Sequence, residues 1–100
     1  MIIYEITAEV REDLIESYER YMRERHIPDL LETGHFYAAY FTRSGENLYR
    51  IQYHARDRKA LDEYLKKQAA DLRADFLKHF PEGIELKREN WEILESWRKD

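Results

Sequence analysis

Ile2, Tyr4, Ile6, Ala8 and Val10 alternate with Ile3, Glu5, Thr7 and Glu9, and a period of two marks a half-buried β-strand. Leu14, Tyr18, Met22 and His26 then fall at i, i+4, i+8 and i+12, one continuous stripe on a helix of 3.6 residues per turn. The stripe is apolar until His26 carries it to the end of the helix. Asp13 is placed to cap the start. Pro28 disfavours helical geometry at Ile27, which predicts an end near Arg25 or His26. A short turn of helix over 29–32 would follow, closed by Gly34.

Residues 35–42 read as a second strand, with Phe36, Ala38 and Tyr40 on one side and Tyr37, Ala39 and Phe41 on the other. Ser44-Gly45-Glu46-Asn47 supplies a hairpin turn into a third strand, 48–55, with Tyr49, Ile51, Tyr53 and Ala55 sharing a face. Asp57 begins one long helix carrying Leu61, Leu65, Ala69, Leu72 and Phe76, which Pro81 and Gly83 break. The last strand runs from Ile84 to about Glu95. Its alternation changes phase between Arg88 and Trp91, as a bulge would cause.

The order β-α-β-β-α-β predicts one α+β domain over residues 1–100 with a ferredoxin-like fold. Right-handed crossovers place strands one and three centrally in a four-stranded antiparallel sheet, with both helices on one face. Strand two then lies at an edge with aromatic residues on both of its sides. Left in water, one row would form a sticky edge, so the expected partner is a second copy, a homodimer joined through the open sheet faces. The alternative is a monomer with an apolar edge.

Composition narrows the function classes. The chain has 100 residues and no cysteine, which excludes a disulfide framework, a thiolate nucleophile and cysteine-ligated metal, and suits a reducing compartment. The start Met1-Ile2-Ile3-Tyr4-Glu5 lacks the pattern of a signal peptide, and no run approaches ~20 apolar residues, so a cytoplasmic protein with no membrane partner is expected. The net charge is −4 with the signs well mixed, and the one basic run, 20–25, reads as a solvated helix face rather than a nucleic-acid patch. Eight tyrosines and two tryptophans suit half-buried surfaces and interfaces, and Trp91 and Trp97 suit a dimer clamp.

His26 is the candidate catalytic residue. A histidine on the buried side of a helix end can act as a general base or donate to a bound anion. The structural alternative is a cap on the last carbonyls of its helix. Gln68 interrupts the second apolar stripe, and a buried amide needs partners. It is a candidate ligand residue with Tyr4 and Tyr53, in a polar cavity between helix and sheet that His26 could also reach, or it bonds a tyrosine hydroxyl. Arg73 suits a bidentate grip on a carboxylate ligand. A surface salt bridge to Asp75 or Glu82 is the favoured alternative. On the other sheet face, Glu5 and Glu9 are expected opposite Arg50 and His54, with Arg43 nearby, as stabilising cross-strand pairs; the alternative is that, lining a dimer interior, they bind a small polar ligand. The histidines at 26, 35, 54 and 79 have no short metal-ligand spacing. Glycines at 34, 45 and 83 build no phosphate loop, and no serine sits in a nucleophile elbow. Neither a metal nor a cofactor is implied.

The segment 25–36, Arg-His-Ile-Pro-Asp-Leu-Leu-Glu-Thr-Gly-His-Phe, together with Met1-Ile2-Ile3-Tyr4, Ile51-Gln52-Tyr53 and Leu72-Arg73, resembles a family of short bacterial proteins known as a domain of unknown function. That family is similar to the dimeric α/β-barrel superfamily, and the likeness spans nearly the whole chain. The resemblance implies several classes: cofactor-free monooxygenases of aromatic compounds, haem-degrading and haem-binding proteins, small isomerases and ligand-sensing modules, with sites between sheet and helices. The haem-degrading pattern wants an asparagine on the first strand, a tryptophan on the second helix and a histidine near that helix's end. Only His79 fits. Residues and resemblance together predict a homodimeric small-molecule-binding or assembly module. The alternative is a cofactor-independent enzyme, monooxygenase- or isomerase-like, in which His26 moves a proton on an aromatic or carboxylate substrate.

Overall fold

Four antiparallel strands form one sheet in the order β2-β3-β1-β4 in the structure, a computed structural model that describes Met1–Asp100. The strands are β1 (Ile2–Val10), β2 (Ala38–Ser44), β3 (Leu48–Ala55) and β4 (Ile84–Glu92). The central pair and the edge position of β2 agree with the sequence pattern. Tyr4 lies beside Tyr53 and Ile6 beside Ile51, so the apolar rows of β1 and β3 form one continuous surface under the helices. Tyr49, Ile51, Tyr53 and Ala55 are all buried there.

The first helical segment runs further than the proline predicts. A short 3₁₀ turn, Glu12–Leu14, leads into α1 (Ile15–Tyr21), a π-helical turn over Met22–His26 and α2 (Ile27–Glu32). Ile27 is helical, with φ −65° and ψ −47°. Proline lacks an N–H and its ring clashes with the carbonyl four residues back. The wider π turn just before Pro28 relieves that conflict, because its bonds skip one residue more. Pro28 then occupies the first turn of α2, where a missing N–H is harmless. Gly34, at φ +81°, closes the segment as expected. Asp13 does not cap the helix: Arg11 precedes the first turn, and Asp13 instead pairs with the Arg11 side chain at 2.6 Å.

The second helical segment is two helices, α3 (Arg58–Lys67) and α4 (Ala69–His79), divided at Gln68. Asp57 caps α3, its carboxylate accepting from the Ala60 N–H at 2.9 Å. Leu61, Tyr64, Ala69 and Phe76 are buried against the sheet.

Two strand expectations need correction. Residues 35–37 lie outside β2, so its alternation starts at Ala38. Phe36 consequently joins Tyr4, Tyr53 and Tyr64 in the core, while Tyr37 turns towards His54 on the other face. β4 ends at Glu92 and has no bulge: its register against β1 is unbroken from Val10↔Ile84 to Ile2↔Glu92. Arg88 lies beside Ile6 and therefore shares the helix-side face with Leu86, which lies beside Ala8. Trp91 lies on the open face.

Gly83 sits where the chain enters β4, at φ +89°, and its carbonyl accepts from the Arg11 N–H at 2.8 Å. A Cβ there would come within 2.6 Å of a Leu14 methyl. Gly83→Ala is expected to lose about 1–3 kcal/mol through backbone strain and displacement of Leu14, measured by denaturant unfolding. Loss below a few tenths would contradict this packing.

Candidate functional site

The helix-side face of the sheet does not close fully against the helices. A cavity of about 30 Å³ lies between β1, β3, β4 and the helices. Its walls are mainly apolar, including Ile6, Met22, Leu30 and Phe76, and the residues with polar groups are Tyr4, Tyr18, Tyr64, His26, Arg73 and Arg88. Each arrives by simple geometry. Tyr4 belongs to the buried row of β1. Tyr64 and Arg73 project from α3 and α4, and Arg88 from the edge strand. His26 ends the π turn, which rotates it inward two residues before Pro28.

His26 is no helix cap, because the chain continues as helix beyond it. Burial is the main force on its ring and lowers the pKa from 6.5 to about 4, against the opposing pull of Asp29 and Asp75. The imidazole is therefore neutral at neutral pH. Its Nδ1 lies 3.5 Å from the Tyr21 hydroxyl, which donates its proton to Asp75 Oδ2 at 2.7 Å. With that proton committed, the phenol oxygen can only accept from Nδ1–H, and that tautomer leaves Nε2 as an acceptor. Asp75 also accepts from Arg25 at 2.8 Å. The Tyr21 hydroxyl is the main reason its carboxyl is held below the usual range, with Arg25 adding to the effect.

Arg73 makes no salt bridge with Asp75 or Glu82, contrary to the favoured sequence reading. Asp75 is taken by Tyr21 and Arg25, and Glu82 reaches Arg11 at 3.8 Å. Arg73 instead turns inward and donates from Nη2 to the Tyr4 hydroxyl at 3.0 Å, while its Nε is buried without a partner. Tyr4, accepting this bond, keeps its own hydroxyl proton free to donate.

Of the five residues singled out, His26, Tyr4 and Arg73 meet at the cavity. Tyr53 and Gln68 do not line it. Tyr53 is wholly buried in the core, and burial pushes its phenol well above the usual range. The Gln68 Oε1 is buried without a partner at the break between α3 and α4, so it bonds no tyrosine hydroxyl. Tyr64 and Arg88 were missed. Tyr64 stands three residues after Leu61 on the stripe already recognised. Arg88 was hidden because a charged residue facing the helices imitates a change of phase.

The open face holds a separate polar cluster. Glu5 is buried there, accepting from Gln52 Nε2 at 2.9 Å and Trp91 Nε1 at 3.1 Å, with Arg50 Nε at 3.4 Å. Gln52, not Arg50, is its direct neighbour on β3; Arg50 reaches it diagonally, and Glu9 lies beside Leu48. Arg43 is on the opposite face, bound to Glu19 on α1 at 3.2 Å. The histidines and acids assemble no group able to hold a metal ion. No helix is long and apolar enough to cross a membrane.

Residues 1–93 match the model of the domain of unknown function DUF4286. The chain belongs to that family. No curated protein matches the sequence significantly. Among solved structures it is similar to a Deinococcus radiodurans protein that carries the name of an antibiotic biosynthesis monooxygenase (TM-score 0.76, 16% identity, covering 100% of this chain and 99% of that one). An EthD-family protein from Bacillus halodurans (0.70, 12%, 93% and 100%) and the Mycobacterium tuberculosis protein Rv0793 (0.64, 14%, 96% and 98%) have the same architecture. At these identities the likeness shows a shared ferredoxin-like α+β fold.

Proposed function

We propose that this DUF4286 domain is a homodimeric small-molecule-binding protein whose ligand enters the cavity between helices and sheet. One observation carries the reading: a small, mainly apolar recess is lined by a neutral histidine, two arginines and three tyrosines, and a few polar groups gathered in an apolar recess are what a ligand site needs. The second copy would cover the open sheet face, where Tyr40 is 54% exposed and Trp91 50% exposed beside the buried Glu5 cluster.

A cofactor-independent enzyme is the second reading. The chain Asp75–Tyr21–His26 favours it, because a fixed tautomer presenting Nε2 as an acceptor is what proton abstraction requires. The name carried by the Deinococcus radiodurans neighbour fits that reading.

Protein-observed NMR against a fragment library tests the binding reading. Hits are expected to shift Tyr4, Tyr64 and His26 together, and Leu86→Trp, placed on the cavity wall, is expected to suppress them. Sedimentation should give the mass of two chains at tens of micromolar. Hits scattered over the surface and indifferent to Leu86→Trp would end the cavity reading. A monomer mass would end the dimer.

A further inference from the structure

Charge inside the cavity is one-sided. Two guanidiniums line it, from Arg73 and Arg88, and no carboxylate does. Arginines elsewhere on the chain show what is usual: Arg20, Arg23 and Arg25 on the first helical segment each have an acid within 4 Å. Arg73 and Arg88 have none. For Arg88, on an edge strand and exposed, water can compensate. For Arg73 it cannot do so fully, because the side chain is half-buried and its Nε reaches neither protein nor solvent. An uncompensated cation in an apolar recess is costly to fold, and a bound anion would remove that cost.

The surrounding groups agree on the sign of the ligand. Both guanidiniums are near enough to Tyr64 to favour its ionised form, although burial prevails and holds the phenol up. Neutral His26 contributes no competing charge. The Tyr4 hydroxyl accepts from Arg73 Nη2 and keeps a proton to donate, while Arg73 Nε–H, enclosed and without a partner, leaves the guanidinium short of one acceptor. Two donors and a planar cation suit a carboxylate. Size limits the choice further. The enclosed space, about 30 Å³, suits a headgroup of a few atoms, with the body of the ligand lying outward, along Leu86 and past Arg88.

We propose that the cavity receives the carboxylate of a small organic acid, anchored by Arg73 and Tyr4 inside and by Arg88 at the mouth. The proposal rests on the cavity being a ligand site, and names what the ligand must carry there.

The test is a titration of the full chain with acetate and benzoate, set against acetamide, benzamide and inorganic phosphate, read at the Arg73 Nε–H and His26 ring resonances. Both acids are expected to shift these signals, with each matched amide at least about tenfold weaker, as loss of a charge-assisted bond implies. Arg88→Ala, on the exposed edge and outside the core, is expected to weaken benzoate by about three- to tenfold. Arg73→Lys, which keeps the charge and loses the planar fork, should weaken both acids more than Arg88→Ala does. Amides that bind as well as the acids, or phosphate that displaces benzoate, would overturn the carboxylate assignment and leave the cavity standing. Silence from every probe at these two resonances would overturn both.

Discussion

Tyr18→Ala is expected to cost about 3–5 kcal/mol, the range for deleting a large aromatic ring from a core. Tyr18 is 1% exposed and forms the hub of the packing between α1 and the sheet. Its ring lies 4.9 Å from that of Tyr49 and about 6 Å from those of Phe41, Phe76 and Phe80. It therefore joins β2, β3 and α4 through one side chain. For a domain of this length each kcal/mol moves Tm by roughly 4–8 °C, so the variant should melt at least about 12 °C lower. Tyr18→Phe keeps the ring and should stay within about 1 kcal/mol. Thermal and urea unfolding of both variants settle it: a small loss for alanine would mean that the first helical segment packs elsewhere.

Acid should destabilise the protein before its carboxylates titrate. His26 has a pKa near 6.5 when unfolded and about 4 when folded, with burial as the cause. Between those values the unfolded chain binds a proton that the folded chain refuses, so stability rises with pH across this window. The full contribution is present above ~6.5 and is lost as pH falls towards ~4, about 3 kcal/mol in all at 1.36 kcal/mol per unit. Asp75 and Glu19, held below their ordinary values chiefly by the hydroxyls of Tyr21 and Tyr49, add their losses only further down. From pH 7 to pH 5 the unfolding free energy should therefore drop by about 2 kcal/mol, and His26→Gln should flatten most of that slope. A wild-type profile level across this interval would show that His26 is not buried as described.

Much of this architecture is legible in the chain because its signals are periodic. The alternation in β1 and β3, the hairpin turn and the Asp57 cap each depend on a few neighbouring residues. What local pattern misses lies where one rule overrides another. Pro28 ends a helix by its own preference, but the π turn over Met22–His26 removes the clash and carries the helix through. Arg88 breaks the apolar alternation of β4 because it faces the cavity, and a polar residue in the helix-side row looks locally like a bulge. Arg73 was assigned to its neighbours in sequence. Asp75 is claimed from across the fold by Tyr21 and Arg25, and only the tertiary structure shows that Arg73 is left free to turn inward. The meeting of Tyr4, His26 and Arg73 could be suspected from stripe positions. The charge imbalance that gives the cavity its meaning could not.

The ring resonances of His26, followed from pH 8 to pH 3.5 with and without benzoate, test the central claim most directly. The account predicts an imidazole that stays neutral until about pH 4 and whose signals move when benzoate enters beside Arg73. A titration midpoint near 6.5, unaltered by the acid, would contradict it, placing His26 in water and leaving the cavity without a ligand.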